Sequence, residues 1–196
     1  MYDRYIKRII DLVLSIIATI ILSPLILIIS ILIKIDSKGP IFFLQERLGK
    51  EGKAFRIIKF RTMIVNAENI GDGLKVKSEK DNRITKIGKI LRKTSLDEIP
   101  QLINVIKGDM SIVGPRPPVT YHPHKYEDYS LEQKERFKVR PGITGLAQVR
   151  VRNSATWDER IEIDREYVKE QSFKLDCIII LKTIKKVFEK ENIYRN

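Results

Sequence analysis

The chain has 196 residues, with 37 Lys or Arg against 25 Asp or Glu, a formal net charge of +12. That length suits one domain with a sizeable core, and the charge favours an anionic partner: nucleic acid, anionic lipid or a phosphorylated substrate. Cys177 is the only cysteine, which excludes an internal disulfide and argues against a Cys-based zinc site; a reducing, cytoplasmic setting fits.

Leu12 to Ile33 carries no charge. About 22 residues at ~1.5 Å each make a helix of about 33 Å, enough to cross a bilayer core of about 30 Å. The run is too long for a signal peptide, and no small-x-small cleavage site follows it. A spanning helix, a re-entrant hairpin and a buried core helix remain. Ser23-Pro24 sits mid-run, where proline removes a hydrogen bond and frees backbone groups that the Ser23 hydroxyl can satisfy. Arg4, Lys7 and Arg8 precede the run and Lys34 and Lys38 follow it. Basic flanks prefer the cytoplasmic side, so two basic ends favour a hairpin that enters and leaves by one face.

After Gly39-Pro40, Ile41 to Gln45 and Ala54 to Met63 read as strands joined by a two-glycine turn, Gly49 to Lys53. Lys59 and Arg61 fall on one face of the second strand, Ile58 and Phe60 on the other. Asn69 to Asn82 is polar and reads as a mobile loop. Lys86 to Arg92 is a short basic helix, and another runs from Leu96 to Lys107, closed by Gly108. Gly114-Pro115-Arg116-Pro117-Pro118 is a rigid turn. Leu131 to Phe137 reads as helix, Arg140 to Gly145 as a Gly/Pro loop, and Leu146 to Arg150 as a short strand. Two helices follow, Trp157 to Glu170 and Leu175 to Glu191. The last sets Ile178, Leu181 and Ile184 on one side and Lys182, Lys185 and Lys186 on another. That pattern suits either an anionic membrane surface or a soluble core.

The most telling motif is Ser95-Leu96-Asp97-Glu98. Ser95 and Glu98 fit a capping box, which puts Asp97 in a first helical turn, where the dipole favours an ionised carboxylate. Such a carboxylate can attack phosphorus or hold a divalent cation. Acidic residues also favour first turns for stability alone. Basic residues recur beside loops: Lys59, Arg61, Arg92, Arg116, Arg140 and Arg152. Each alone can be a solvated charge. Together with an acidic pair able to hold Mg²⁺ they suggest a diphosphate site. Flanking prolines restrict Arg116 and reduce the entropy lost on binding. The G-x-x-x-x-G-K-[ST] and G-x-G-x-x-G phosphate loops are absent, as is Asp-x-Asp. His122-Pro123-His124 lacks further ligands nearby, and Trp157 suits core packing or base stacking.

These motifs, in this order, resemble the monotopic phosphoglycosyl transferases, also called the bacterial sugar transferase family. The resemblance rests on Lys7-Arg8-x-x-Asp11, Ser23-Pro24, Gln45-x-Arg47-x-Gly49, Lys59-Phe60-Arg61-Thr62-Met63, Ser95 to Gln101, Lys107 to Ser111, Gly114-Pro115-Arg116-Pro117 and Arg140 to Gly145. The stretch from Arg150 to Trp157 matches the family's Asn-Gly-Arg-Asn-Ala-x-x-Trp at Arg152, Asn153 and Trp157 and departs at Val151 and Ser154.

The resemblance implies an α+β protein. Residues 1–38 are a re-entrant membrane helix broken at Ser23-Pro24. Residues 39–196 are a small mixed helix and strand catalytic domain with amphipathic interface helices, on the cytoplasmic face of the bacterial inner membrane. It implies transfer of a sugar-1-phosphate from a UDP-sugar to polyprenyl phosphate, with Mg²⁺ as cofactor and membrane lipids and downstream glycosyltransferases as neighbours. Asp97 is then nucleophile and Mg²⁺ ligand, and Glu98 the general base or metal neighbour. Lys59, Arg61, Arg92, Arg116 and Arg140 are candidates for holding phosphates; Arg152, Asn153 and Trp157 complete the substrate-binding set. The rivals are a membrane-tethered nucleic-acid-binding module, suggested by charge, and a non-catalytic scaffold of the same fold.

Overall fold

The computed structural model describes residues 2–70, 81–151 and 155–188. It is a mixed helix and strand protein led by one long apolar helix, α1, Lys7–Asp36. Thirty helical residues at ~1.5 Å each make α1 about 45 Å long, and it is long and apolar enough to cross a membrane. Pro24 lies inside it, and the helix continues through Ser23-Pro24 rather than being interrupted there. Proline cannot donate to the carbonyl four residues back, and Ser23 Oγ takes that role, donating to Ile20 O at 2.8 Å.

Residues near both ends of α1 bind the same globular body. At the start, Arg8 donates to Val105 O and Ile106 O, and Asp11 accepts from Ser111 Oγ and the Ile112 amide. At the end, Ile29 and Ile33 pack with Phe60 and Leu91, Asp36 accepts from the Ile87 amide, and Arg61 donates to Ser37 O and Lys38 O. The apolar middle, including Ile20, Ile21, Leu27 and Ile28, faces outward.

Strands β1, Phe42–Leu48, and β2, Ala54–Phe60, form an antiparallel hairpin through the expected turn, with Phe43 opposite Lys59. Helix α2, Lys86–Thr94, is capped by Thr85, which accepts from Gly88 N. Ser95 then ends α2 in the left-handed conformation (φ 57°) and makes no side-chain cap. The expected capping box is therefore not formed, and the expected helix from Leu96 is shorter. Leu96–Glu98 is a 3₁₀ turn, and α3 runs Gln101–Lys107, closed by Gly108 at φ 94°. The reversal at Ser95 turns the chain from α2 into the 3₁₀ turn, so this residue closes one helix instead of opening the next.

Two further expectations change. Leu146–Arg150 is helix α4, not a strand. The strand nearby is β4, Gly142–Thr144, inside the expected loop, and it pairs in parallel with β3, Ser111–Val113. Gly114 and Gly142 lie back to back in this pairing, with no room for a Cβ on either. The helix expected near Leu131 is a 3₁₀ segment, Gln133–Lys138. Helix α5, Trp157–Glu170, begins with a true capping box between Thr156 and Glu159, and α6 runs Phe173–Phe188. Val113, Val139, Leu146, Val149, Tyr167 and Ile179 form the core beneath β3 and β4. The mobile-loop expectation falls mainly on residues 71–80, outside the described residues.

Candidate active site

Asn104 of α3 sets the site's frame. Its Oδ1 accepts from the Ile58 amide at 2.9 Å and its Nδ2 donates to Arg56 O at 2.8 Å, stitching α3 to the free edge of β2. That register brings Lys59 of β2 to the 3₁₀ turn, where Lys59 Nζ lies 2.5 Å from Glu98 Oε1. Arg116, on the proline-flanked turn after β3, reaches the same oxygen at 3.3 Å. Glu98 is thus clamped between two cations from separate elements. Burial alone would raise its pKa, but Lys59 and Arg116 outweigh it and hold Glu98 below the usual carboxylate range.

Asp97 differs from its neighbour. Its carboxylate accepts no hydrogen bond among the described residues, although Lys59, Arg92 and Arg116 all act on its charge. Burial pushes its pKa up, Lys59 opposes that, and the neighbouring Glu98 adds to the rise. The result is one carboxylate held and one with both oxygens uncommitted, beside three cations. Divalent Mg²⁺ is commonly held by one or two carboxylates plus substrate phosphates, so Asp97 and the second oxygen of Glu98 fit that requirement. Among the described residues there is no cluster of three His, Cys, Asp or Glu able to form a cage by themselves.

The structure gathers Lys59, Arg92 and Arg116 around the acidic pair and separates the other candidates. Arg61 is buried, and its guanidinium donates to the carbonyls ending α1, so it closes that helix rather than facing the site. The expectation that Arg61 holds a phosphate is corrected accordingly. Arg61→Lys should lower stability by roughly 1–3 kcal/mol, the cost of leaving buried carbonyls short of donors, and leave donor KM unchanged. Arg116→Lys should do the reverse, raising donor KM with little change in melting temperature. Steady-state kinetics beside thermal unfolding separate the two.

Arg140 sits at the other end of α3, with Nε donating to Gly108 O at 2.9 Å. Asp97 lies in the 3₁₀ turn before α3 and Gly108 just past its end, and the charges that act on Asp97 and Glu98 come from Lys59, Arg92 and Arg116. Arg140 therefore does not join the Asp97 cluster. Trp157 contacts His122 edge-to-face and carries Arg160 over its ring. Arg152 and Asn153 lie outside the described residues.

Two supporting arginines were missed as site residues. Arg47 donates to Pro117 O at 3.0 Å and to Gln45 Oε1 at 2.6 Å, and burial together with Arg116 lowers its pKa to about 10. Arg136 donates to Arg116 O at 2.9 Å and to Asp164 Oδ2 at 2.7 Å, both side chains almost wholly buried. Arg47 and Arg136 thus fix the two successive carbonyls that follow the Arg116 Cα. The Gln45-x-Arg47-x-Gly49 motif marked the first; nothing in the sequence marked the second.

Residues 2–190 match the bacterial sugar transferase family. The chain is similar to a UDP-glucose:undecaprenyl-phosphate glucose-1-phosphate transferase of Caulobacter vibrioides, 39% identical over 193 residues, covering 96% of this chain and 72% of that protein. It is 49% identical over 159 residues to the galactosyl transferase CpsE of Streptococcus agalactiae, covering 76% of this chain and 35% of CpsE. It is 42% identical over 186 residues to a UDP-N-acetylgalactosamine-undecaprenyl-phosphate N-acetylgalactosaminephosphotransferase of Aeromonas hydrophila, covering 93% of this chain and 44% of that protein. The chain thus spans about a third to three quarters of the length of these three relatives. With its family match running almost end to end, the chain belongs to the bacterial sugar transferase family.

Proposed function

We propose that the chain is a membrane-bound phosphoglycosyl transferase that moves a sugar-1-phosphate from a UDP-sugar to polyprenyl phosphate. The observation that carries this is the Asp97 carboxylate, which has no hydrogen bond or ion pair among the described residues, beside the clamped Glu98 and the cations Lys59, Arg92 and Arg116. Two relatives named for transfer from UDP-sugars to undecaprenyl phosphate support it. Asp97 attacks the sugar-bearing phosphorus of the donor. The phosphoanhydride bond breaks, UMP leaves with the electron pair, and an aspartyl phosphosugar remains. An oxygen of polyprenyl phosphate then attacks the same phosphorus and releases Asp97 as a free carboxylate. Splitting one displacement into two lowers each barrier. Lys59, Arg92 and Arg116 offset the charge that gathers on the transferred group and on UMP.

A carboxylate held as firmly ionised as Glu98 is a weak base. Its role in this reading is to hold Lys59 and Arg116 toward Asp97 and to offer its second oxygen to Mg²⁺. Mg²⁺, when bound by Asp97, Glu98 and the diphosphate, supplies charge neutralisation at the phosphates.

The membrane arrangement in this reading is a re-entrant α1, residues 1–38, with the domain of residues 39–196 on the cytoplasmic face of the inner membrane. In its support, Arg8 and Asp11 at one end and Ile33 and Asp36 at the other bind a single globular body. A helix crossing the bilayer would separate those ends by the full membrane thickness. Exposed Phe173, Leu181 and Ile184 on α6, interleaved with Lys174, Lys182 and Lys185, suit an amphipathic helix at the interface.

The test is UMP release from a panel of UDP-sugars with Mg²⁺ and no lipid acceptor. A burst approaching one UMP per protein, followed by turnover when polyprenyl phosphate is added, is the expected result and names the sugar. UMP only in the presence of acceptor would replace the two-step route by direct transfer. No UMP in either condition, from folded protein with every donor, would remove the enzyme reading.

A further inference from the structure

A polar cleft of about 430 Å³ opens at the start of α1 and is lined by Lys7, Arg8, Asp11, Lys50, Ser111, Val139, Arg140 and Gln171. Its charges do not balance. Lys7 is neutralised by Asp176 at 2.6 Å and Asp11 at 3.8 Å. Arg8 and Arg140 donate only to uncharged carbonyls at the end of α3, and Lys50 is exposed on the β1–β2 turn. None of these three forms an ion pair among the described residues. Asp11, the one carboxylate in the lining, is occupied by Ser111 and the Ile112 amide.

Three uncompensated cations therefore face one cleft. A guanidinium carries five N–H donors, and Arg140 commits only its Nε, which leaves its two terminal nitrogens to form a bidentate pair with a phosphate. Lys50 lines the same cleft from a different element and supplies a point charge. The volume falls within the range of small-molecule pockets and holds a phosphate with the group it is esterified to. The position adds a second argument. Lys7 and Arg8 stand a few residues before the charge-free run that begins at Leu12, so the cleft lies at the polar end of the apolar helix, where lipid headgroups gather. It is not the Asp97 centre: neither Asp97 nor Glu98 lines it, and Arg140 is bound at Gly108, past the far end of α3 from Asp97.

We infer that this cleft binds a phosphate group, carried by an anionic lipid headgroup or free in solution, at a site separate from the acidic pair. The lipid source rests on the membrane reading above; the phosphate chemistry does not.

The experiment measures ligand retention, not turnover. The full chain in neutral detergent is titrated with phosphatidylglycerol, phosphatidylcholine and inorganic pyrophosphate, followed by native mass spectrometry and thermal unfolding. The expected result is saturable retention of one ligand with a net-anionic phosphate, at least about tenfold tighter than phosphatidylcholine, whose own ammonium offsets its phosphate. That retention falls at least about tenfold in Lys50→Ala and in Arg140→Gln and is unchanged in Asp97→Asn. Phosphatidylglycerol held in the presence of excess pyrophosphate assigns the lipid source. Pyrophosphate that binds and displaces the lipid assigns the soluble one. Equal retention of phosphatidylglycerol and phosphatidylcholine without pyrophosphate binding overturns the inference. So does retention that both Lys50→Ala and Arg140→Gln leave intact. Lys50 is exposed and has no ion-pair partner among the described residues, so its variant keeps the question answerable if Arg140→Gln fails to fold. Because no step depends on Asp97, failure here leaves the transferase reading standing, and failure of UMP release leaves this one standing.

Discussion

Asp97→Asn should abolish the UMP burst, by on the order of 10³-fold or more, and leave the protein at least as stable as the parent chain. The amide keeps the shape of the side chain and removes the nucleophilic oxygen. Stability is the informative control. Burial raises the pKa of Asp97, so the folded state disfavours its ionised form, and a neutral amide escapes that penalty. Glu98→Gln should behave differently. It loosens Lys59 and Arg116, which both pair with Glu98 Oε1, so donor KM rises and the burst survives with a reduced rate. Rapid-quench measurement of UMP beside melting curves separates the two variants. If Glu98→Gln loses the burst while Asp97→Asn keeps it, the assigned roles exchange. If both keep it, the acidic pair is not the reacting centre.

The contrast between these neighbours shows where sequence reading stops. Periodicity and turn chemistry were enough to place the β1–β2 hairpin, α2, α5 and the cap at Gly108, because each depends on residues a few positions apart. The Ser95 capping box failed on the same local logic. Ser-x-x-Glu is a valid signal, but Ser95 is also the residue at which α2 must reverse, and that constraint won. A working capping box did form at Thr156-x-x-Glu159, where Thr156 is extended (φ −65°, ψ 169°) and closes no preceding helix itself. Leu146 to Arg150 is too short for its pattern to separate strand from helix. The strand nearby, β4, owes its existence to β3, some thirty residues earlier, through the Gly114–Gly142 approach.

Site residues divided in the same way. Lys59, Arg92 and Arg116 could be named from motifs, but motifs do not tell a phosphate ligand from a helix-closing arginine. Arg61 lies two residues from Lys59 on the same strand face, and only the position of α1 decides that it serves Ser37 and Lys38. Arg136 carries no local mark because its partners, Arg116 O and Asp164, are about 20 and 28 positions away. Long-range polar pairing of this kind has no periodicity to read.

The same long-range pairing joins the apolar helix to the rest of the chain, and the second large effect is expected there. Lys7 Nζ lies 2.6 Å from Asp176 Oδ2 on α6, and all of Lys7, Asp11 and Asp176 are buried. Tyr2 and Tyr167 hydroxyls also donate to Asp176, at 2.6 and 2.8 Å, and Ser111 Oγ donates to Asp11 at 2.6 Å. These donors satisfy lone pairs but bring no positive charge; among the described residues, Lys7 does that inside the network. Lys7→Met should therefore cost about 3–5 kcal/mol, the penalty for stranding buried carboxylates, far above the ~0–1 kcal/mol of a surface ion pair. Adding Asp176→Asn removes one stranded charge and should recover part of the loss. Additive losses in the double variant would mean that the pair contributes nothing as a pair. Denaturant unfolding of the four chains in one detergent completes the cycle. The consequence reaches the site because Asp11, beside Lys7, anchors Ser111 of β3, and the turn after β3 carries Arg116. In folded Lys7→Met protein, donor KM should therefore rise although no substituted atom lies near Asp97. An unchanged KM would show that the network only holds the apolar helix in place.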